Sequence, residues 1–201
     1  MSARFSIKGV FAGAAIMALM ACQPKVEISA QDVFFEDIKS HCGKAYAGKL
    51  VSTDEADADF AGKQMVMHVR ECSDTELRIP FHVDDDHSRT WVITKTDSGL
   101  RLKHDHRHED GSEDAVTQYG GDTIYKGAKS RQVFPVDQFS IDMFLREGLD
   151  VSIVNIWAVE INNATFAYEL SRPNRHFRVE FDVTKPVELP PAPWGLSLIH
   201  I

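Results

Sequence analysis

Hydrophobic and polar residues alternate with a period of two along most of this chain, and with a helical period in only two places. Leu77, Ile79, Phe81 and Val83 alternate with Arg78, Pro80 and His82, and Phe177, Val179, Phe181 and Val183 alternate with Arg178, Glu180 and Asp182. This pattern predicts strands with one face in a core and the other in water. Its phase places His82 outside. Pro80 lacks an amide donor, which puts its strand at an edge or beside a bulge. Further strands are predicted over 44–52, 64–72, 90–96, 154–161 and 166–170, with one irregular strand over 124–132. Turn chemistry falls at 84–88, 97–99, 162–164 and 171–175. The helical spacing of Phe34, Ile38 and Cys42, behind Ser29 and Asp32 in capping positions, predicts an amphipathic helix over 30–41. Phe139, Met143 and Leu145, with Asp137 or Ser140 as cap, predict a short helix or a packed loop within 135–148.

The stretch the chain is arranged around runs over 99–119. At period two, Leu100, Leu102, His104, His106 and His108 share one face, while Arg101, Lys103, Asp105, Arg107 and Glu109 share the other. The histidines continue the apolar face and are expected where a core opens toward its rim. Asp110-Gly111 is a hairpin signal, so 115–119 is expected to return alongside and Gly120-Gly121-Asp122 to break the run.

Same-face neighbours on a strand stand about 6.5 to 7 Å apart, so two adjacent imidazoles can share a zinc, copper or iron ion if another strand supplies a third ligand. Glu113 and Asp114 across the hairpin are the first candidates, His68 and His176 the next. The other reading is that these are rim or core imidazoles hydrogen-bonded to neighbouring carboxylates. Arg89 and Arg107 are cations that could bind an anion near the site. Trp91, Trp157 and Tyr168 are expected to fill the core. The acidic stretch 53–63 lacks the glycine and terminal glutamate of a calcium loop at their required positions and is expected to be solvated. No nucleophile elbow, phosphate loop or paired reactive cysteine is present in the sequence.

Seven to nine short strands and one flanking helix predict a mainly β fold, either an antiparallel up-and-down barrel or a two-sheet sandwich. The run of hairpins resembles the calycins, which implies the barrel. One β-domain is expected over 30–186, followed by a Pro-rich tail over 187–195 laid on the surface. Residues 196–201 follow without periodic context, resemble translated adapter read-through, and are expected to be a non-native tail.

Arg4 and Lys8 precede an apolar run over 10–20, which reads as an export signal over 1–21. The closing Leu19-Met20-Ala21-Cys22 resembles the lipobox of bacterial lipoproteins. That resemblance implies lipidation of Cys22, a palmitate-bearing tether over 22–29, and a mature domain held in the periplasm of a Gram-negative envelope. Gln23 lacks the retention aspartate, which favours the outer membrane. Loss of residues 1–21 removes Arg4 and Lys8 and no acid, taking the formal charge from −8 to −10 and arguing against nucleic acid as a partner. Cys42 and Cys72 are then a single pair in an oxidising compartment, and a disulfide between them is predicted.

His106-x-His108, Glu113 and Gly120 resemble the first cupin motif, which implies a metal-dependent enzyme using those residues. The stretch 100–114 resembles segments of uncharacterised secreted proteins of Gram-negative bacteria, which imply no activity. Three functions stay open: a noncatalytic module binding a small ligand or metal near the histidine strand, a cupin-like enzyme, and an envelope protein of structural or protein-contact role.

Overall fold

A computed structural model describes residues 28–195. Residues 1–27, on which the expected export signal, Cys22 and most of the expected tether fall, and residues 196–201 lie outside the described residues.

Ser29 caps helix α1 (Ala30–Lys39), its hydroxyl oxygen accepting from the Asp32 amide at 2.9 Å. Strands β1 (Ala45–Leu50), β2 (Met65–His68), β3 (Glu71–Cys72), β4 (Glu76–Val83), β5 (Asp86–Thr96), β6 (Gly99–His106) and β7 (Tyr119–Asp122) follow. After them come β8 (Arg131–Pro135), α2 (Gln138–Arg146), β9 (Ile156–Ile161), β10 (Thr165–Arg172) and β11 (Arg175–Val187). All ladders are antiparallel, in the order β7-β6-β5-β4-β2-β1-β11-β10-β9-β8, with β3 also on β4. Consecutive strands are neighbours and β1 pairs with β11, so the sheet is an up-and-down, calycin-like barrel closed at every position but one.

The remaining seam, between β7 and β8, is made by glycine. A Cβ on Gly121 would sit 1.7 Å from the Pro135 carbonyl oxygen, and one on Gly120 would sit 1.9 Å from that of Leu102. Bare backbone lets β7 approach both neighbours, and the Asp137 amide donates to the Gly120 carbonyl at 2.9 Å across the seam. Gly120-Gly121-Asp122 therefore does not break the run; it is the strand that returns beside β6, pairing His104 with Tyr119 and Arg101 with Asp122. Of the expected return over 115–119 only Tyr119 joins the ladder, and nearer the turn a single bridge joins Arg107 with Glu113. The irregular strand expected over 124–132 is displaced to β8.

Inside, Phe81, Phe166, Phe177 and Phe181 are 6% exposed or less and fill most of the barrel. Helix α1 closes one end with the fully buried Phe34, Phe35 and Ile38, and the predicted Cys42–Cys72 disulfide ties the chain just past it to β3, with Cα atoms 6.3 Å apart. Closing a loop of that size stabilises by about 3 to 4 kcal/mol in the chain-entropy model. Pro80 lies opposite the interruption between β2, whose ladder ends at Phe81, and β3, whose ladder begins at Arg78, so its missing amide costs no ladder bond. In α2, capped by Asp137, the buried face is Ser140, Met143 and Phe144; Phe139 and Leu145 face water, contrary to the spacing. Among the described residues no helix is long and apolar enough to cross a membrane.

His82 corrects another expectation. It lies on the outer face, as its phase requires, yet is only 3% exposed. The Pro-rich tail explains this: it runs over the outer surface, Pro190 and Pro191 lining a pocket with His82 and His87, and the Trp194 amide donating to the His87 carbonyl at 3.0 Å.

Candidate functional site

β6 enters the barrel with Leu100 and Leu102, both 1% exposed or less, and then presents His104 and His106 toward the end opposite α1. The aromatic core does not quite reach that end. A cavity of about 150 Å³ remains, walled by Phe81, Trp91, Tyr119, Tyr168 and the two imidazoles, with Leu170 and a rim of Phe60, Arg89, Arg175 and Phe177.

The walls are held in register by stacking. Trp91 lies between Phe81 and Tyr168, with centroids 4.8 and 4.5 Å away and planes within 13° and 18°. His104 stacks on Tyr119 at 4.4 Å. His104 is also fully bonded: its Nδ1 donates to the Tyr119 carbonyl at 3.0 Å, which fixes the tautomer and leaves Nε2 to accept from the Tyr168 hydroxyl at 2.7 Å. His106 Nε2 and the Tyr119 hydroxyl are hydrogen-bonded at 3.1 Å.

Electrostatics follow from burial. Desolvation pushes the His104 pKa down to about 3. Desolvation, with the Arg89 charge adding to it, pushes His106 down to about 4. Burial raises Tyr119 to about 12 and Tyr168 well above the ordinary phenol value. At neutral pH the cavity therefore holds neutral imidazoles and protonated phenols. Imidazoles of such low basicity are poor general bases near pH 7.

At the rim, cations and rings alternate. The Arg89 guanidinium sits over Phe60 at 5.7 Å, Phe60 meets Phe177 edge-on at 5.1 Å, and Arg175 sits over Phe177 at 5.9 Å. A carboxylate outside the cavity holds each guanidinium: Asp86 accepts from Arg89 Nη1 at 2.6 Å, and Asp57 takes both Nη groups of Arg175. Asp57 is 1% exposed, so the stretch expected to be solvated contributes a buried brace.

The predicted ligand set divides. His104 and His106 share the cavity. His108 lies beyond the end of β6, its side chain 58% exposed and 3.8 Å from Asp114. Glu113 accepts from Arg107 at 3.1 Å and from Gln118 at 3.4 Å on the outside. Among the described residues no three His, Cys, Asp or Glu side chains are placed to hold a metal ion. The strand phase that should have carried His108 inward ends where the ladder does, at His106. Of the two arginines singled out in the sequence, Arg89 reaches the rim, while Arg107 is occupied by Asp105 and Glu113. Trp157 is core, as expected, whereas Trp91 and Tyr168 are core and cavity wall at once. Tyr119 ends the stretch expected to return beside the histidines and pairs with His104; Phe60 and Arg175 carried no sequence signal, since Arg175 is placed by a partner 118 residues away and Phe60 by Phe177. Comparison with known proteins found no matching family model, curated protein or solved structure.

Proposed function

We propose that this chain is a noncatalytic, lipid-anchored binding protein of the Gram-negative envelope whose barrel takes a small ligand into the cavity beside His104 and His106. One observation carries the binding reading: a barrel otherwise filled with aromatic side chains keeps a cavity of about 150 Å³ at one end, the size of an engineered apolar cavity that accepts benzene. Its neutral imidazoles and protonated phenols are bonded to one another, which holds the walls in place, and they include no base strong enough for proton abstraction near pH 7. The address rests on Arg4, Lys8, the apolar run and Leu19-Met20-Ala21-Cys22. The Cys42–Cys72 disulfide is compatible with an extracytoplasmic location.

The test is a titration with toluene, phenol and indole, read by melting temperature and Trp fluorescence, on the native protein and on Leu170→Trp, which fills the cavity. Saturable stabilisation of about 1 kcal/mol or more at tenfold excess over Kd, lost in Leu170→Trp, is expected. No response to any of the three probes, or an equal response in the filled variant, overturns the reading. So does a stoichiometric transition metal in the purified protein that disappears when His104, His106 and His108 are replaced by alanine. Mass analysis of the N-terminal peptide checks the anchor: a diacyl or triacyl Cys22 is expected, and an unmodified cysteine removes it.

A further inference from the structure

The cavity's hydrogen-bonding groups are not balanced between donors and acceptors. Its eleven wall and rim residues include two arginines and no carboxylate, in a chain whose formal charge is −8. Asp86 and Asp57 offset the formal charge of the guanidinium groups from outside the cavity, so an entering molecule meets directed N–H donors rather than a bare double positive charge. The two arginines differ in what they have left. Asp57 takes both Nη groups of Arg175, and Asp54 lies 3.4 Å from its Nη1. Arg89 gives only Nη1 to Asp86; its Nε and Nη2 have no partner among the described residues, and its side chain is 26% exposed at the rim. On the acceptor side, both His104 nitrogens are used within the wall, and the Tyr168 hydroxyl is turned onto His104.

Resting on the ligand-binding reading above, we propose that the ligand is a small one-ring or similarly compact apolar molecule bearing a carboxylate, with its body against Trp91 and Tyr168 and its anionic group on Arg89. The body fits because the cavity's apolar lining is ring faces and the partly buried Leu170. A fork of two N–H groups matches the two oxygens of a carboxylate, and such charge-assisted pairs are about twice as strong as neutral ones. A cationic ligand would meet no carboxylate within the cavity and two guanidinium groups at its entrance.

Benzoate, benzamide and benzylamine share a ring and differ in the charge of one substituent. Calorimetric titration at pH 7 is expected to give benzoate at least about tenfold tighter binding than benzamide, with benzylamine weakest. In Arg89→Gln the benzoate affinity should fall to that of benzamide, whose own affinity stays within about twofold and so reports an intact pocket; Arg89→Lys should give an intermediate benzoate affinity. Benzamide equal to benzoate, benzylamine tighter than both, or a benzoate preference that survives in Arg89→Gln each overturns the anion inference while leaving a ligand pocket in place. Failure of all three probes overturns the pocket and this inference with it.

Discussion

Two pairs of histidines are drawn out of bulk water, wholly at His104 and His82 and partly at His106 and His87, and they are bonded in opposite ways. Inside the barrel, His104 has a partner on each nitrogen and His106 is bonded to Tyr119. Outside it, His82 and His87 stand 4.6 Å apart beneath the C-terminal tail, and neither ring nitrogen of His82 nor Nδ1 of His87 has a protein partner among the described residues. Burial is nearly equal, 3% exposure for both His104 and His82, and both are pushed to low basicity, about 3 and about 4 respectively. The difference is in bonding. The inner pair belongs to a network that returns hydrogen bonds for lost hydration, whereas the tail over the outer pair bonds the His87 carbonyl and gives nothing to the His82 nitrogens or to His87 Nδ1.

The largest effect should appear in acid, where His104 and His106 inside the barrel and His82 outside it act together. An unfolded histidine takes up its proton near pH 6.5, whereas folded His104, His106 and His82 stay neutral until about pH 3 to 4. Between those limits the unfolded state binds more protons, so stability is full above about pH 6.5 and falls as the pH drops toward 4. Urea denaturation at pH 7.5, 5.5 and 4.5 should show a combined loss of several kcal/mol, since each fully buried imidazole contributes on the order of 1 kcal/mol per pH unit. Equal stability at pH 7.5 and 4.5 would break the comparison for both pairs.

At neutral pH single substitutions separate the pairs. His104→Ala removes a stacked ring and leaves the Tyr168 hydroxyl and Tyr119 carbonyl unpaired, with an expected cost of about 2 to 4 kcal/mol by urea denaturation. Tyr168→Phe keeps the stack on Trp91 but strands His104 Nε2 in the core, at about 1 to 3 kcal/mol. The smallest effect belongs outside: His82→Leu discards nitrogens with no protein partner and keeps apolar contact with the tail, so stability at pH 7.5 should stay within about 1 kcal/mol of the parent, on the stabilising side. A loss at His82 as large as at His104 would mean the outer pair is also part of a bonded network.

Much of this arrangement was legible from residue order, and where legibility stopped has a physical reason. The alternation of Leu77, Ile79, Phe81 and Val83 and the phase of Leu100, Leu102 and His104 were read correctly because one-sided burial acts residue by residue. Gly120-Gly121 was misread because a missing side chain is as compatible with close strand approach as with a break, and only the position of Pro135 distinguishes the two. Asp57 was read as solvated because its partner, Arg175, is 118 residues away. His108 was assigned to the site on phase alone, which fails where the ladder ends.

Residue order by itself determined a mainly β chain of antiparallel hairpins, a capped N-terminal helix, the cysteine pair, and the face on which His104 and His106 lie. These follow from local periodicity, capping and turn chemistry, each settled within a few residues. Tertiary structure alone decided that the hairpins close through β1 and β11, that a cavity survives at one end of an aromatic core, that Arg89 and Arg175 face it while Arg107 and Glu113 do not, and that the tail buries His82. Those outcomes depend on which surfaces remain uncovered after distant segments have paired, and residue spacing carries no record of that.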